Sequence, residues 1–170
     1  MPTITADQAG GLNICAFMDM IAVSEGTSTS PITQCDGYDI IVTGINGRNR
    51  FDDFSTHPFA NGRPSIVVNS KGLTSNASGR SQFMLTDWPH YKAQLSLPDF
   101  GPMSQDRWCL QLIKECRAIP AILAGDLATA TALCAHIWAS LPGNSYGQPQ
   151  NSLDMLKAAF VLNGGTLAST

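Results

Sequence analysis

Glu25 is the residue of this chain best placed to move a proton. It is one of two glutamates, the other being Glu115. It follows an apolar stretch in which Ile14, Met18 and Ile21 recur at helical spacing, and it falls on the same face four residues on. Gly26 then reads as the residue just past the helix end. A carboxyl in that place meets two influences of one sign. Partial burial disfavours the charged form, and so does the negative end of the helix dipole. Both raise its pKa toward the range that a general acid needs near neutral pH. On position alone, Glu25 reads equally as an exposed glutamate at a fraying helix end.

The other chemistry-bearing residues are less sharply placed. Asp52-Asp53 could ligate a metal or supply a second carboxylate, but such a pair is more often a solvated strand end, which is the reading favoured here. His57 reads as a substrate contact or as a surface residue, and neither reading dominates. His136 sits on an apolar helical pattern and reads as a structural or surface histidine. The histidines have no metal spacing, and there is no HExxH, phosphate-cradling loop or nucleophile elbow. The five cysteines are odd in number and scattered without CxxC, which argues against a zinc site and a disulfide framework. Cys109, Cys116 and Cys134 read as buried thiols; a single bridge such as Cys15 to Cys35 stays open.

The elements that must position Glu25 follow in order. A first helix runs from Thr5 or Gly11 to Ser24 and is amphipathic. Residues 38–54 form a β-hairpin around Asn46-Gly47, joined by a third strand near 65–68. A small-residue turn, Ser78-Gly79-Arg80-Ser81, feeds Gln82 and Phe83 and suits the close approach of an extended polymer. Helices are expected from Thr86-Asp87 to Leu95, from Ser104 through Cys116 with Trp108, Leu112 and Ile113 inward, and from Ala118 to Ala124. Asp126 caps a further helix to Ser140 in which Leu133, Ile137 and Trp138 pack, and a last helix spans Ser152 to Leu162. The loop between them carries Tyr146 and Gln148, an aromatic and an amide of the kind that contact sugars.

Composition narrows the field. With 170 residues, 44% hydrophobic and 14% charged, the chain can bury one domain's core. Ten basic against 13 acidic residues leave a net charge of -3, too near neutral to steer it to nucleic acid or an anionic membrane. No apolar run reaches the roughly 20 residues of a membrane span. The N-terminus carries Asp7 and neither Lys nor Arg before it, unlike a signal peptide, so synthesis and folding in a cytoplasm are expected.

Several blocks resemble, in order and at compatible spacing, the lambda phage lysozyme family of endolysins. They are Ser24-Glu25-Gly26-Thr27, the run Gly37 to Val42, Phe51 to Pro58, Ser78-Gly79-Arg80 with Gln82, Asp99-Phe100, Ser104-Gln105-Asp106, Gly125-Asp126, and Ile137 to Gly143 with Tyr146-Gly147-Gln148. The resemblance covers about Ala16 to Gly165. It implies an α+β, lysozyme-like fold: one catalytic domain over residues 1–170, in which a helical lobe and a small β-hairpin lobe flank a glycan cleft. It implies that Glu25 is the catalytic acid/base, that Tyr38, His57, Arg80, Gln82, Phe83, Tyr146 and Gln148 contact the glycan, and that no metal or organic cofactor is needed. The implied partner is peptidoglycan, cut by lytic transglycosylation. The protein would be a monomer that does not insert in membranes and that reaches the periplasm when a holin opens the inner membrane. A hydrolytic muramidase using Glu25 with Asp39, Asp52 or Asp53 is the nearest rival. A non-catalytic glycan-binding or phage structural protein is the rival from another class. The chain departs from the family's pattern at Ser81, where an aromatic is common, at Phe83, where an aliphatic is usual, and at Pro89, inside what would otherwise be a longer helix.

Overall fold

The computed structural model describes residues 1–143 and 149–169. The chain divides into two compact units. One is Met1–Glu25 with Cys109–Thr170; the other is Gly26–Trp108.

The first unit is helical. Helix α1 (Ala6–Ala9) opens on a capping box, in which the Thr5 hydroxyl accepts from the Gln8 N–H while the Gln8 carboxamide accepts from the Thr5 N–H. Gly10 and Gly11, with φ of 98° and 148°, end α1 and separate it from α2 (Leu12–Ser24). Of the two starts expected for the helix that ends at Ser24, Gly11 is the one observed, and the short α1 stands apart because the Gly-Gly pair takes a backbone that no helix continues. Helix α2 is the core element. Every residue from Ile14 to Ala22 is buried, on all sides of the helix. This corrects the amphipathic reading: even Asp19 is buried, with its carboxylate 3.6 Å from the Met1 ammonium. Around α2 lie α5 (Ile119–Ala124) and α7 (Leu153–Leu162), with α6 (Leu127–Cys134) against α5. Asp126 accepts from the Thr129 N–H and Ser152 from the Met155 N–H, so α6 and α7 start where their caps were expected. Helix α6 ends at Cys134 rather than Ser140. Trp138 is buried, but Leu133, His136 and Ile137 are exposed.

The second unit carries the β-structure. Strands β1 (Ile40–Gly44) and β2 (Gly47–Arg50) pair antiparallel around the Asn46-Gly47 turn. The expected third strand, β3 (Ile66–Val67), pairs with β4 (Thr74–Ser75), and it is tied to the hairpin by a 2.9 Å bond from the Ile45 N–H to the Val67 carbonyl. Helix α3 (Trp88–Gln94) begins at Trp88, so Pro89 falls in its first turn, where a missing N–H costs nothing. Helix α4 (Pro102–Glu115) starts two residues before Ser104, whose hydroxyl instead donates to Asp99. The unit boundary falls within α4, after Trp108. The interior of this unit is aromatic: Phe83 stacks on Trp108 with centroids 4.2 Å apart, and Phe100 meets His57, Trp88 and Phe51 at 4.8, 5.2 and 5.9 Å. All five cysteines are free, and Cys15 and Cys35 form no bridge.

Candidate active site

Glu25 caps α2. Its N–H still bonds the Ile21 carbonyl at 2.8 Å, and Gly26 follows in the left-handed region at φ 69°. The stop expected at Gly26 is therefore real. Its cause is a change of backbone hand that glycine makes without strain. The helix beneath Glu25 is locked by burial on every side, so the carboxyl is delivered by a rigid element.

The Glu25 carboxylate is half-buried, and Ser140 Oγ donates to its Oε1 at 2.6 Å. Burial pushes the Glu25 carboxyl above the usual carboxylate range, and the Ser140 hydroxyl draws it part of the way back. Among the described residues, no charged group contributes to the shift. Ser140 is held in turn: its Oγ lies 2.7 Å from Ser24 Oγ, and its carbonyl accepts from the Asn151 N–H at 2.8 Å. The Asn151 carboxamide donates to Ser24 Oγ at 2.9 Å and to the Ser24 carbonyl at 3.0 Å. Sequence reasoning missed Ser140 and Asn151. The signal for Ser140 was a small hydroxyl just before Leu141-Pro142-Gly143, masked by the expectation of unbroken helix. For Asn151 it was an amide next to the Ser152 cap.

In the second unit, the structure seats most of the residues expected to contact a glycan inside the protein. The Tyr38 hydroxyl donates to Asp106 at 2.7 Å, and the Arg80 guanidinium lies 5.2 Å from the Tyr38 ring centroid. Arg80 also donates from Nε to the Asp36 carbonyl at 3.0 Å and pairs with the Asp36 carboxylate at 3.3 Å. His57 is fully buried; its Nε2 lies 3.1 Å from the Phe83 carbonyl and its Nδ1 accepts from the Phe59 N–H at 3.4 Å. The Phe83 ring is in the aromatic core. Tyr38, His57, Arg80 and Phe83 are thus buried and bonded within this unit. An aromatic ring or an imidazole inside a polar stretch reads as exposed until the remote element that covers it is known.

Gln82 differs. It is half-buried, and it takes a left-handed φ of 53° at the tip of a turn closed by paired Ser78–Phe83 hydrogen bonds of 2.8 and 2.9 Å. Its carboxamide donates to the Gly79 carbonyl at 3.1 Å. A glutamine held in this sparsely populated region is the kind of outlier found at ligand clamps. Tyr146 and Gln148 lie outside the described residues. Asp52 and Asp53 are exposed; Asp52 pairs with Arg50 at 2.7 Å and Asp53 accepts from the Ser55 N–H. Among the described residues, no group of His, Cys, Asp and Glu is arranged to hold a metal ion, and no helix is long and apolar enough to cross a membrane.

Comparison with known proteins bears directly on this geometry. The family model described as Endolysin matches residues 15–167. The chain is 51% identical to the endolysin of Escherichia phage P2 over 169 residues, covering 99% of this chain and 100% of that one. It is 45% identical to the endolysin of Escherichia phage lambda over 153 residues, covering 89% and 91%. Among solved structures, bacteriophage lambda lysozyme complexed with a chitohexasaccharide superposes with a TM-score of 0.83 at 42% identity, covering 98% of this chain and 99% of that one. A second structure, lysozyme from bacteriophage lambda, gives 0.80 at 40% identity with the same coverage. The α+β, lysozyme-like fold expected from the sequence is the fold the chain has.

Proposed function

The chain belongs to the endolysin family, and on that footing we propose that it cleaves peptidoglycan as a lytic transglycosylase with Glu25 as its single acid/base. The bond attacked is the β-1,4 link from N-acetylmuramic acid to N-acetylglucosamine. The protonated Glu25 carboxyl gives its proton to the bridging oxygen. The C1–O bond of the muramic acid breaks, and the glucosamine leaves with a free 4-hydroxyl. The Glu25 carboxylate then takes the proton of the muramic acid 6-hydroxyl, whose oxygen closes on C1. The product is a 1,6-anhydro ring; no water is consumed, and Glu25 returns to its starting form. The substrate's N-acetyl oxygen can steady the positive charge at C1 between the two steps.

The observation that carries this reading is the environment of Glu25. Glycosidases that work with two carboxylates hold them about 5–9.5 Å apart. Here burial alone raises the carboxyl and a neutral hydroxyl is its partner. A buried carboxyl that a hydroxyl holds suits a reaction in which one group serves as acid and then as base.

The remaining proposals follow from the same reading. Residues 1–170 act as one catalytic domain on peptidoglycan strands, as a monomer without metal or organic cofactor. Gln82, Tyr146 and Gln148 contact the sugars, while Tyr38, His57, Arg80 and Phe83 hold the Gln82 turn. The enzyme waits in the host cytoplasm until a holin opens the inner membrane. Mass spectra of muropeptides released from purified sacculi test the reaction type. Ends lighter by one water than a reducing sugar are expected, and reducing ends alone would overturn transglycosylation.

A further inference from the structure

Ser24, Ser140 and Asn151 form a hydrogen-bonded line that ends on Glu25, and its direction is fixed by chemistry. The Asn151 amide nitrogen can only donate, so Ser24 Oγ accepts from it at 2.9 Å. A serine hydroxyl has one proton. That of Ser140 goes to Glu25 Oε1 at 2.6 Å, so the 2.7 Å bond between the serines must carry the proton of Ser24 toward Ser140. Every donor in the line therefore points at the carboxylate. A serine in the last turn of a helix commonly back-bonds the carbonyl four residues earlier. The bonds to Ser140 and Asn151 hold Ser24 in this line instead.

We propose that Ser140, oriented by Ser24 and Asn151, is a positioning residue that occupies Glu25 Oε1 and so assigns Oε2 as the oxygen that carries the catalytic proton. The inference rests on the reading of Glu25 as acid/base. Oε1 is held as an acceptor in both protonation states, which leaves one oxygen for both halves of the reaction. The aligned donors favour the carboxylate, while burial favours the acid. The acid step draws on burial and the base step on the line of donors. The elements packed on α2 carry few other ionisable groups: Asp7 on α1, Asp154 and Lys157 on α7 and none on α5, with Cys15 and Asp19 on α2 itself. None of them contributes to the Glu25 shift.

The test follows the Glu25 carboxyl carbon by NMR titration in the intact protein, together with the pH profile of turnover on soluble glycan fragments. Ser140→Ala removes the donor. Asn151→Asp replaces the donor that sets the direction with an acceptor, which draws the Ser24 proton away from Ser140. Both should move the Glu25 midpoint and the alkaline limb of kcat to higher pH, and kcat should fall about tenfold with little change in KM, the scale of one hydrogen bond to a charged group. Ser140→Thr keeps the hydroxyl and should restore both. An unmoved midpoint in Ser140→Ala, or no recovery in Ser140→Thr, would overturn the proposal. The titration reads Glu25 whether or not it is catalytic. A Glu25→Gln enzyme that still turns over would therefore sink the functional reading and leave the NMR result standing.

Discussion

Gly79 and Gln105 are fitted to each other. Gln105 Oε1 accepts from the Arg80 N–H at 2.8 Å, and its amide nitrogen donates to the Tyr38 and Phe100 carbonyls at 3.0 and 2.9 Å. A Cβ on Gly79 would run into that carboxamide, and Gly79 itself has a φ of 79°. One glutamine on α4 thus pins the turn that presents Gln82, and it can do so only because its neighbour lacks a side chain.

Gly79→Ala should therefore destabilise the protein by about 2–3 kcal/mol, from backbone strain together with displacement of Gln105. Gln105→Ala, which removes three buried hydrogen bonds, should cost about 3 kcal/mol. Urea melts check both. A Gly79→Ala protein as stable as the parent would show that the turn can shift without loss.

Glu25→Gln should lower lysis of outer-membrane-permeabilised Gram-negative cells by about 10²–10⁴-fold, the range of a lost general acid. Its effect on stability has a definite sign. The folded-state pKa of Glu25 is raised. Its contribution to stability is therefore complete below the ordinary carboxylate range and is lost as pH rises through the folded value. Glutamine does not ionise. The variant should melt above the parent at neutral pH, and the gap should close below about pH 4. Equal melting at both pH values would show that burial of the charged form costs little.

His57 gives the opposite sign. Burial depresses its pKa, and the bond to the Phe83 carbonyl only partly opposes that. The neutral ring, with its proton on Nε2 toward Phe83, is the folded form. Its stabilising effect is present above the unfolded value of about 6.5 and is lost as pH falls from there through the folded value. His57→Gln can reproduce both hydrogen bonds without titrating. Its melting temperature should fall less than the parent's between pH 7 and pH 5, as differential scanning calorimetry would record.

The aspartates separate transglycosylation from hydrolysis. Asp39 accepts from the Thr33 hydroxyl at 2.5 Å and the Gln34 N–H at 2.9 Å, and lies 4.0 Å from Arg50. Asp39→Asn should cost about 1–3 kcal/mol of stability. Asp52→Asn and Asp53→Asn, at exposed positions, should stay within about 0.5 kcal/mol of the parent. Turnover of the folded variants should persist in all three. A collapse of turnover in Asp52→Asn or Asp53→Asn at unchanged stability would bring back a hydrolase with two carboxylates.

Local chemistry was legible in the sequence. The Asp126 cap, the Gly26 stop and the Asn46-Gly47 turn each declare themselves within a few residues, and the structure has all of them. What the sequence hid was burial. The helix expected to be amphipathic is buried on every side from Ile14 to Ala22. Phe83 and His57 looked like surface contacts because Trp108 and Phe100, which pack on them, lie far along the chain. Ser140 escaped for the same reason: its partner is 115 residues away.

That separation has a consequence for how the protein is made. Residues 26–108 are contiguous and can close on themselves as they leave the ribosome. The unit that holds Glu25 cannot. Met1–Glu25 must wait for Ser140, Asn151 and α7, translated 115 or more residues later, before its helix is covered and its carboxyl gains its partner. A nascent chain cut short before Ser140 therefore carries Glu25 without that hydrogen-bond partner. Chain order thus delays the surroundings of Glu25 until long after the residue itself has been made.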